Sequence, residues 1–208
     1  GEYQHLQDLS TYSGANQRGG MSVNLNHSSA NRKFSLGLSS FYTLSKVDLK
    51  HMPYIMNLPP NAPDIWNEAG GLNYIGWMPL DNKFTFGSLL ETYISKTNMF
   101  NNSLNFRFEI TKGLVVRTNF GYSNIQGKQT SLTPIASRNP RYTNTGSNIF
   151  GASDISNWIV EPQAEYNAFV SKGKLTALIG ASYQNNRTSS SAAQGTGYTN
   201  DALLNSVS

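Results

Sequence analysis

Residues 103–123 read SLNFRFEITKGLVVRTNFGYS, two alternating runs joined by a break at Thr111, Lys112 and Gly113. In the first run Leu104, Phe106, Phe108 and Ile110 fall on one side of a strand. Ser103, Asn105, Arg107, Glu109 and Thr111 fall on the other, as a side-chain period of two requires. The second run repeats the scheme: Leu114, Val116, Phe120 and Tyr122 share a face with Thr118, opposite Arg117, Asn119, Gly121 and Ser123, with Val115 the one apolar intruder. Lys112 and Gly113 supply a polar tip and a residue free to take positive φ, so the stretch predicts a tight antiparallel hairpin. One face is large and apolar. The other carries charges of both signs, which suits a hydrated surface better than a dry core.

The same alternation recurs along the chain. Met21, Val23, Leu25 and His27 alternate with Ser22, Asn24 and Asn26; from Lys33, Phe34, Leu36, Leu38, Tyr42 and Leu44 share a face, with Phe41 on the polar side. Later, Trp158, Val160, Ala164, Tyr166, Ala168 and Val170 alternate with Asn157, Glu161, Gln163, Glu165 and Asn167. Pro162 lies inside that run, where a missing N–H implies a bulge or an unpaired position. After a turn at Ser171, Lys172 and Gly173, residues 174–184 alternate again. The remainder reads as loop: residues 1–19, a proline-containing loop over 46–90, a second long loop over 124–155, and a polar tail from Asn185. A short helical turn is signalled near Phe86.

Composition narrows the class. Of 208 residues only 13% are charged, against roughly 25% in soluble domains, and Asn, Ser, Thr, Gly and Tyr fill the deficit. No run approaches the roughly 18 apolar residues of a spanning helix, so membrane insertion would be by strands. There is no cysteine, which excludes disulfides and thiolate metal sites. The net charge of +4 comes from scattered basic residues, a pattern that does not point to nucleic acid. The opening Gly1-Glu2-Tyr3-Gln4 carries no export signal, and the expectation is of a piece of a longer chain.

Two regularities emerge. Lys33, Arg107, Glu109, Arg117, Glu161, Glu165 and Lys174 all fall on the polar face of their strands, and only His27 stands on the other. Turns after Ser28, Ile110 and Val170 are short, whereas connections after Ser45, Ser123 and Gln184 are long. Alternating short turns and long loops, with a charge-free face and aromatic strand ends, mark an outer-membrane barrel. The fold expected is therefore all-β: an antiparallel up-and-down meander of six or seven strands, part of a large transmembrane β-barrel. Arg107, Glu109, Arg117, Glu161 and Glu165 are then the lumen-facing polar wall. The alternative is a secreted or surface β-sandwich binding carbohydrate or protein, whose apolar face would meet a second sheet.

The search for chemistry finds no enzyme. Phosphate loops, dinucleotide fingerprints and His-Glu-x-x-His are absent, and His5, His27 and His51 are dispersed. Glu161 and Glu165 stand about 13 Å apart along a strand, beyond the usual carboxylate spacing for glycoside hydrolysis. Asp64, Asn67 and Glu68 do not match a calcium loop. No cofactor or metal is expected. In the loop over 46–90, Trp66, Tyr74 and Trp77 either pack the loop onto itself or onto neighbouring loops, or offer a flat face to a sugar or a partner protein. Trp158 reads as an interfacial girdle residue.

Leu58-Pro59-Pro60-Asn61-Ala62-Pro63-Asp64, followed by Gly70-Gly71-Leu72-Asn73-Tyr74, resembles the proline-rich loop of the SusC/RagA family of TonB-linked outer-membrane transporters. Ser95-Lys96-Thr97, Gly113-Leu114 through Thr118-Asn119-Phe120-Gly121-Tyr122-Ser123, Asn157-Trp158-Ile159-Val160-Glu161-Pro162-Gln163 and Gly180-Ala181-Ser182-Tyr183-Gln184 resemble barrel segments of that family. The resemblance implies a barrel of about 22 strands closed by a plug, importing glycan or peptide oligomers across the outer membrane beneath a SusD-like surface lipoprotein. It implies energy from TonB through the plug, which residues 1–208 do not include, so the chain is expected to be a partial barrel domain.

Overall fold

The computed structural model describes residues 2–7, 15–51, 53–54 and 58–206. Eight strands form a single sheet: β1 (Glu2–Gln7), β2 (Ala15–Ser28), β3 (Phe34–Lys50), β4 (Thr92–Thr111), β5 (Leu114–Thr133), β6 (Gly146–Val170), β7 (Gly173–Gly180) and β8 (Tyr183–Tyr198). Each pairs antiparallel with its predecessor from β1 to β7, and β8 also pairs with β6. β7 lies along 163–170 of β6 and β8 along 146–160, so the two occupy one strand position, the seventh of the meander. No second sheet covers either face among the described residues, and the sandwich alternative does not form.

Pro162 explains the break in that seventh position. Its carbonyl accepts from the Ala181 N–H at 3.0 Å, and in an antiparallel ladder a residue's N–H and C=O point to the same neighbour. The N–H that proline lacks is therefore on the β7–β8 side, where Ala181 and Ser182 leave the strand. The bulge implied by the sequence is realised in the partner strand.

The organising hairpin forms as expected. Leu104 stands opposite Phe120 and Phe108 opposite Val116, with a register shift between Glu109 and Thr111 that sets Ile110 apart before the Lys112–Gly113 turn. Gly113 has φ 89°, and a Cβ there would collide with the Asn167 carbonyl oxygen of β6. The other two turns at this end are equally tight: Arg32 and Ser171 each take φ 56°, and Asn31 Oδ1 accepts from Lys33 N at 3.1 Å.

The strands outrun the sequence expectation at the opposite end. Residues 1–19 were expected to be loop, but 2–7 form β1 and 15–19 belong to β2, with Gly19 facing Leu44 and Gly20 facing Thr43. A glycine has no side chain to alternate, so backbone pairing decides there; residues 8–14 lie outside the described residues. The loop expected over 46–90 begins after Lys50. The loop expected over 124–155 is confined to 134–145, because β5 runs to Thr133 and β6 starts at Gly146. The polar tail from Asn185 is strand as far as Tyr198. All four corrections share one cause: past the apolar band both faces are polar, and periodicity in hydrophobicity vanishes although the hydrogen-bond ladder continues.

Register turns the alternation into a continuous surface. On one face Leu25, Leu38, Leu104, Phe120, Val160 and Tyr183 form one row across the sheet. Two residues further along, Tyr122 stands opposite Trp158, and Trp158 packs on Tyr183 with ring centroids 4.9 Å apart. From Ile110 to Phe100 the belt spans about 34 Å of strand, or roughly 24–28 Å along the axis at a tilt of about 35–45°. From β2 to β7 no charged side chain interrupts it, and Arg187 of β8, in the row of Phe100, stands at its outer limit. No helix among the described residues is long and apolar enough to cross a membrane, a statement that does not bear on strands.

Gly113→Ala should cost about 1–3 kcal/mol from the left-handed backbone and the collision with Asn167, whereas Gly173→Ala, whose added Cβ would meet only the Val170 carbonyl at 3.7 Å, should stay within about 1 kcal/mol. Denaturant midpoints of the refolded full-length protein measure the difference.

Candidate functional site

Two places gather chemistry-bearing side chains: the polar face of β4–β6, and the loops at the end of the sheet opposite the tight turns.

On the polar face the five residues singled out in the sequence share one side, since Arg107 stands opposite Arg117, Arg117 opposite Gln163, Asn119 opposite Glu161 and Val115 opposite Glu165. Two arginines side by side require acidic neighbours. Glu165 supplies one through a charge-assisted hydrogen bond from Arg117 Nη2, and Asn167 Nδ2 donates to its other oxygen at 2.7 Å. Arg107 lies 4.0 Å from Glu109. Glu161 stands beside Asn119 and apart from these pairs. Ser28, Ser35, Asn105, Arg107, Arg117 and Asn119 contribute to the wall of an open hollow of about 400 Å³. Such a surface offers hydrogen bonds and alternating charge to a polar solute, with no nucleophile and base in contact.

The loop over 51–91 has a core of its own. His51 Nδ1 lies 3.0 Å from Glu91 Oε2, pinning its two ends together. Inside, Leu72, Trp77, Phe86 and Leu89 are buried, with Ile65, Trp66, Tyr74 and Phe84 packed against them. Phe84 joins Tyr74 at 4.7 Å, Trp77 at 5.6 Å and Phe86 at 5.2 Å between ring centroids. The helical turn signalled near Phe86 is a 3₁₀ turn, Phe86–Leu90. Asparagines replace regular structure elsewhere: Asn67 Oδ1 accepts from the N–H groups of Ala69 and Gly71 at 3.0 and 2.9 Å, and Asn73 Oδ1 from that of Gly76 at 2.9 Å. Asn67 is thereby committed to a turn, as its local hydrogen-bonding chemistry favours.

Of the three loop aromatics, Trp77 is 3% exposed and donates its indole N–H to the Asp64 carbonyl at 3.2 Å. It shapes the loop from within. Tyr74 is half-buried, and burial pushes its phenol up to about 12, with Arg138 opposing and Glu91 reinforcing the shift. The protonated hydroxyl donates to the Ala136 carbonyl at 3.4 Å. Trp66 is half-buried like Tyr74, bridges to Leu72 and packs against the same buried cluster.

The Tyr74 bond to Ala136 is packing onto a neighbouring loop, one of the readings the sequence offered, and further contacts join the loops into one cap. Gly87 lies so close to Ser137 that a Cβ would strike its carbonyl oxygen, which joins 51–91 to 134–145. Asp201 Oδ1 accepts from Ile135 N at 2.8 Å, joining 134–145 to the tail. The tail itself is held by Asn148, 1% exposed. Its Nδ2 donates to the carbonyls of Leu204 and Ser206 at 2.7 and 2.8 Å, and its Oδ1 accepts from Gly195 N at 2.9 Å. Tyr198 adds a 2.7 Å bond to the Ser206 carbonyl. Asn148 stands in a polar run with no periodicity, so nothing local distinguished it. No group of His, Asp and Glu among the described residues is arranged to hold a metal ion.

No family model matches the chain, and no curated protein matches it. Solved structures do. The chain is similar to the RagAB peptide importer in its closed-closed state, with a TM-score of 0.70 and 16% identity over 97% of this chain and 24% of that one. The open-open state of the same importer gives 0.68 and 16% over 91% and 22%. BauA, the ferric preacinetobactin receptor from Acinetobacter baumannii, gives 0.52 and 12% over 92% and 26%. The chain thus spans about a quarter of the length of the chains it matches. Its fold is that of a continuous stretch of the barrel wall in such proteins.

Asn148→Ala should remove the group that holds the tail and take from the Leu204 carbonyl and the Gly195 N–H their Asn148 partner, at about 1–3 kcal/mol. Amide exchange over 199–206 should accelerate while exchange within β4 and β5 stays slow.

Proposed function

We propose that this chain is a section of the wall of an outer-membrane importer, with its apolar belt against lipid and its polar face lining the hydrated lumen. The observation that carries this reading is the belt itself: uncharged from β2 to β7, girdled by Tyr122 and Trp158, of bilayer height, and backed by a face that carries charges of both signs. A soluble sheet has no reason to expose such a band without a covering layer. The barrel class also accounts for the tight turns at one end and the capped loops at the other, the former periplasmic and the latter extracellular. The fold shared with a peptide importer and a siderophore receptor supports transport over catalysis.

The finer reading follows the resemblance in the proline-rich loop. The parent protein belongs with SusC/RagA transporters, takes up peptide or glycan oligomers, is energised by TonB through a plug outside this segment, and is covered by a SusD-like lipoprotein. The polar wall of Arg107, Glu109, Arg117, Glu161 and Glu165 faces the passing solute. Within the loop cap Trp66 and Tyr74, both half-buried, offer their rings, while the buried Trp77 holds the loop in the shape that presents them.

A charge on the belt separates this reading from a water-soluble one. Val116→Arg should cost about 2–4 kcal/mol if the site lies near the bilayer midplane, and Asn119→Arg on the other face should be mild. Stability of the full-length protein folded into liposomes measures both; equal tolerance of the two would end the membrane assignment. Uptake of labelled peptide and glycan oligomers tests the transport role. Trp66→Ala and Trp77→Ala should each lower uptake or weaken capture of the lipoprotein, and unchanged values for both would remove the loop aromatics from it.

A further inference from the structure

Beyond the apolar belt, on the same face and towards the long loops, register places Lys46 of β3 opposite Lys96 of β4, and Lys96 opposite Lys128 of β5. Neighbouring Cβ atoms in such pairs stand about 5 Å apart, so three cations share a strip about 10 Å wide. Like charges directly opposite one another destabilise a sheet. Lys46 has a carboxylate within reach, Asp48 at 3.5 Å. Among the described residues, Lys96 and Lys128 meet no acidic group at ion-pair distance. Asp154, one row nearer the belt, is occupied by the amides of Asn124 and Gln126 at 3.3 and 2.9 Å. Arg187, opposite Ser156, adds a further cation on this face.

We propose that Lys46, Lys96 and Lys128 bind the phosphate groups of an anionic glycolipid in the outer leaflet. The inference rests on the membrane reading above. Position selects lipid over a dissolved anion: Lys96 lies four residues past Phe100 on β4, about 14 Å along the strand and roughly 10 Å along the axis at the usual tilt. Acyl chains lying on the belt would bring a headgroup to this level, and flexible lysine stems reach along the surface to meet it. A headgroup with two phosphates spans the strip, supplies the missing counter-charge and relieves the repulsion across both strand pairs. Asp48 leaves part of the Lys46 charge in place and biases the phosphates towards Lys96 and Lys128.

The test uses the full-length protein in neutral detergent, titrated with fluorescent diphosphoryl lipid A and with the same lipid stripped of its phosphates. Diphosphoryl lipid A should bind, more weakly as salt rises, and the dephosphorylated form should bind about tenfold or more weakly. The triple variant K46Q/K96Q/K128Q should lose that tenfold preference, and K46R/K96R/K128R should keep it. A glutamine triple that retains wild-type preference, or wild-type binding indifferent to phosphate or salt, overturns the proposal. Should the glutamine triple fail to fold, the arginine triple and the salt dependence still decide. Insertion of the wild-type protein into lipid bilayers is measured in parallel: failure to insert removes the membrane reading as well, whereas insertion without lysine-dependent binding removes only this site.

Discussion

Antiparallel register is the constraint on which the rest of this structure depends. Every backbone N–H and C=O of β2–β6 needs a partner, and the only partners that satisfy a whole strand are those of its neighbours. Because side chains alternate with a period of two, a slip by one residue would move Phe106 to the polar face and Arg107 to the apolar one. The Leu104–Phe120 and Phe108–Val116 pairs therefore hold more than a hairpin in place. They decide the face of every residue on five strands, including those far past the belt.

The structure also separates what stabilises the wall from what shapes its end. The described strands bury little of their apolar face: Phe108 is 40% exposed and Leu25 is 53% exposed, whereas Trp77 and Phe86 in the loop are 3% exposed. In a water-soluble molecule this would be inverted, with the sheet forming the core and the loops open. On the membrane reading proposed above, hydrocarbon removes the penalty on the sheet, and the loops make a core of their own. The aromatic cluster of 51–91 and the Asn148 hub are two solutions to the same problem, one by packing and one by hydrogen bonding. Gly87 matters because the two loops touch there backbone to side of backbone, with no room for a methyl group.

Polar residues past the belt change meaning once the ladder is known. Asn124, Gln126, Lys128 and Gln129 look like loop by composition, yet each lies in β5 with a defined partner on both sides. Strands that run past the apolar belt keep their hydrogen bonds while their faces cease to differ in polarity. Hydrophobicity therefore places the strand ends near Ser45, Ser123 and Asn157, short of where the ladder ends, and carries no sign that the lysines at 46, 96 and 128 are neighbours.

From the sequence alone followed the class and the faces: an all-β meander, the hairpin at Lys112 and Gly113, the tight turns at one end, the side on which Arg107, Glu109, Arg117, Glu161 and Glu165 stand, and the irregularity at Pro162. These are legible because they are local, set by period-two alternation and by the backbone limits of glycine and proline. The tertiary structure decided how far each strand runs, which loop touches which, the full burial of Trp77 beside the half-buried Trp66, and the hub at Asn148. Each of these depends on a partner distant in the chain, as Asn148 depends on Leu204 and Ser206 and Lys96 on Lys46 and Lys128. A polar side chain carries no mark of such a partner until the ladder brings the two together.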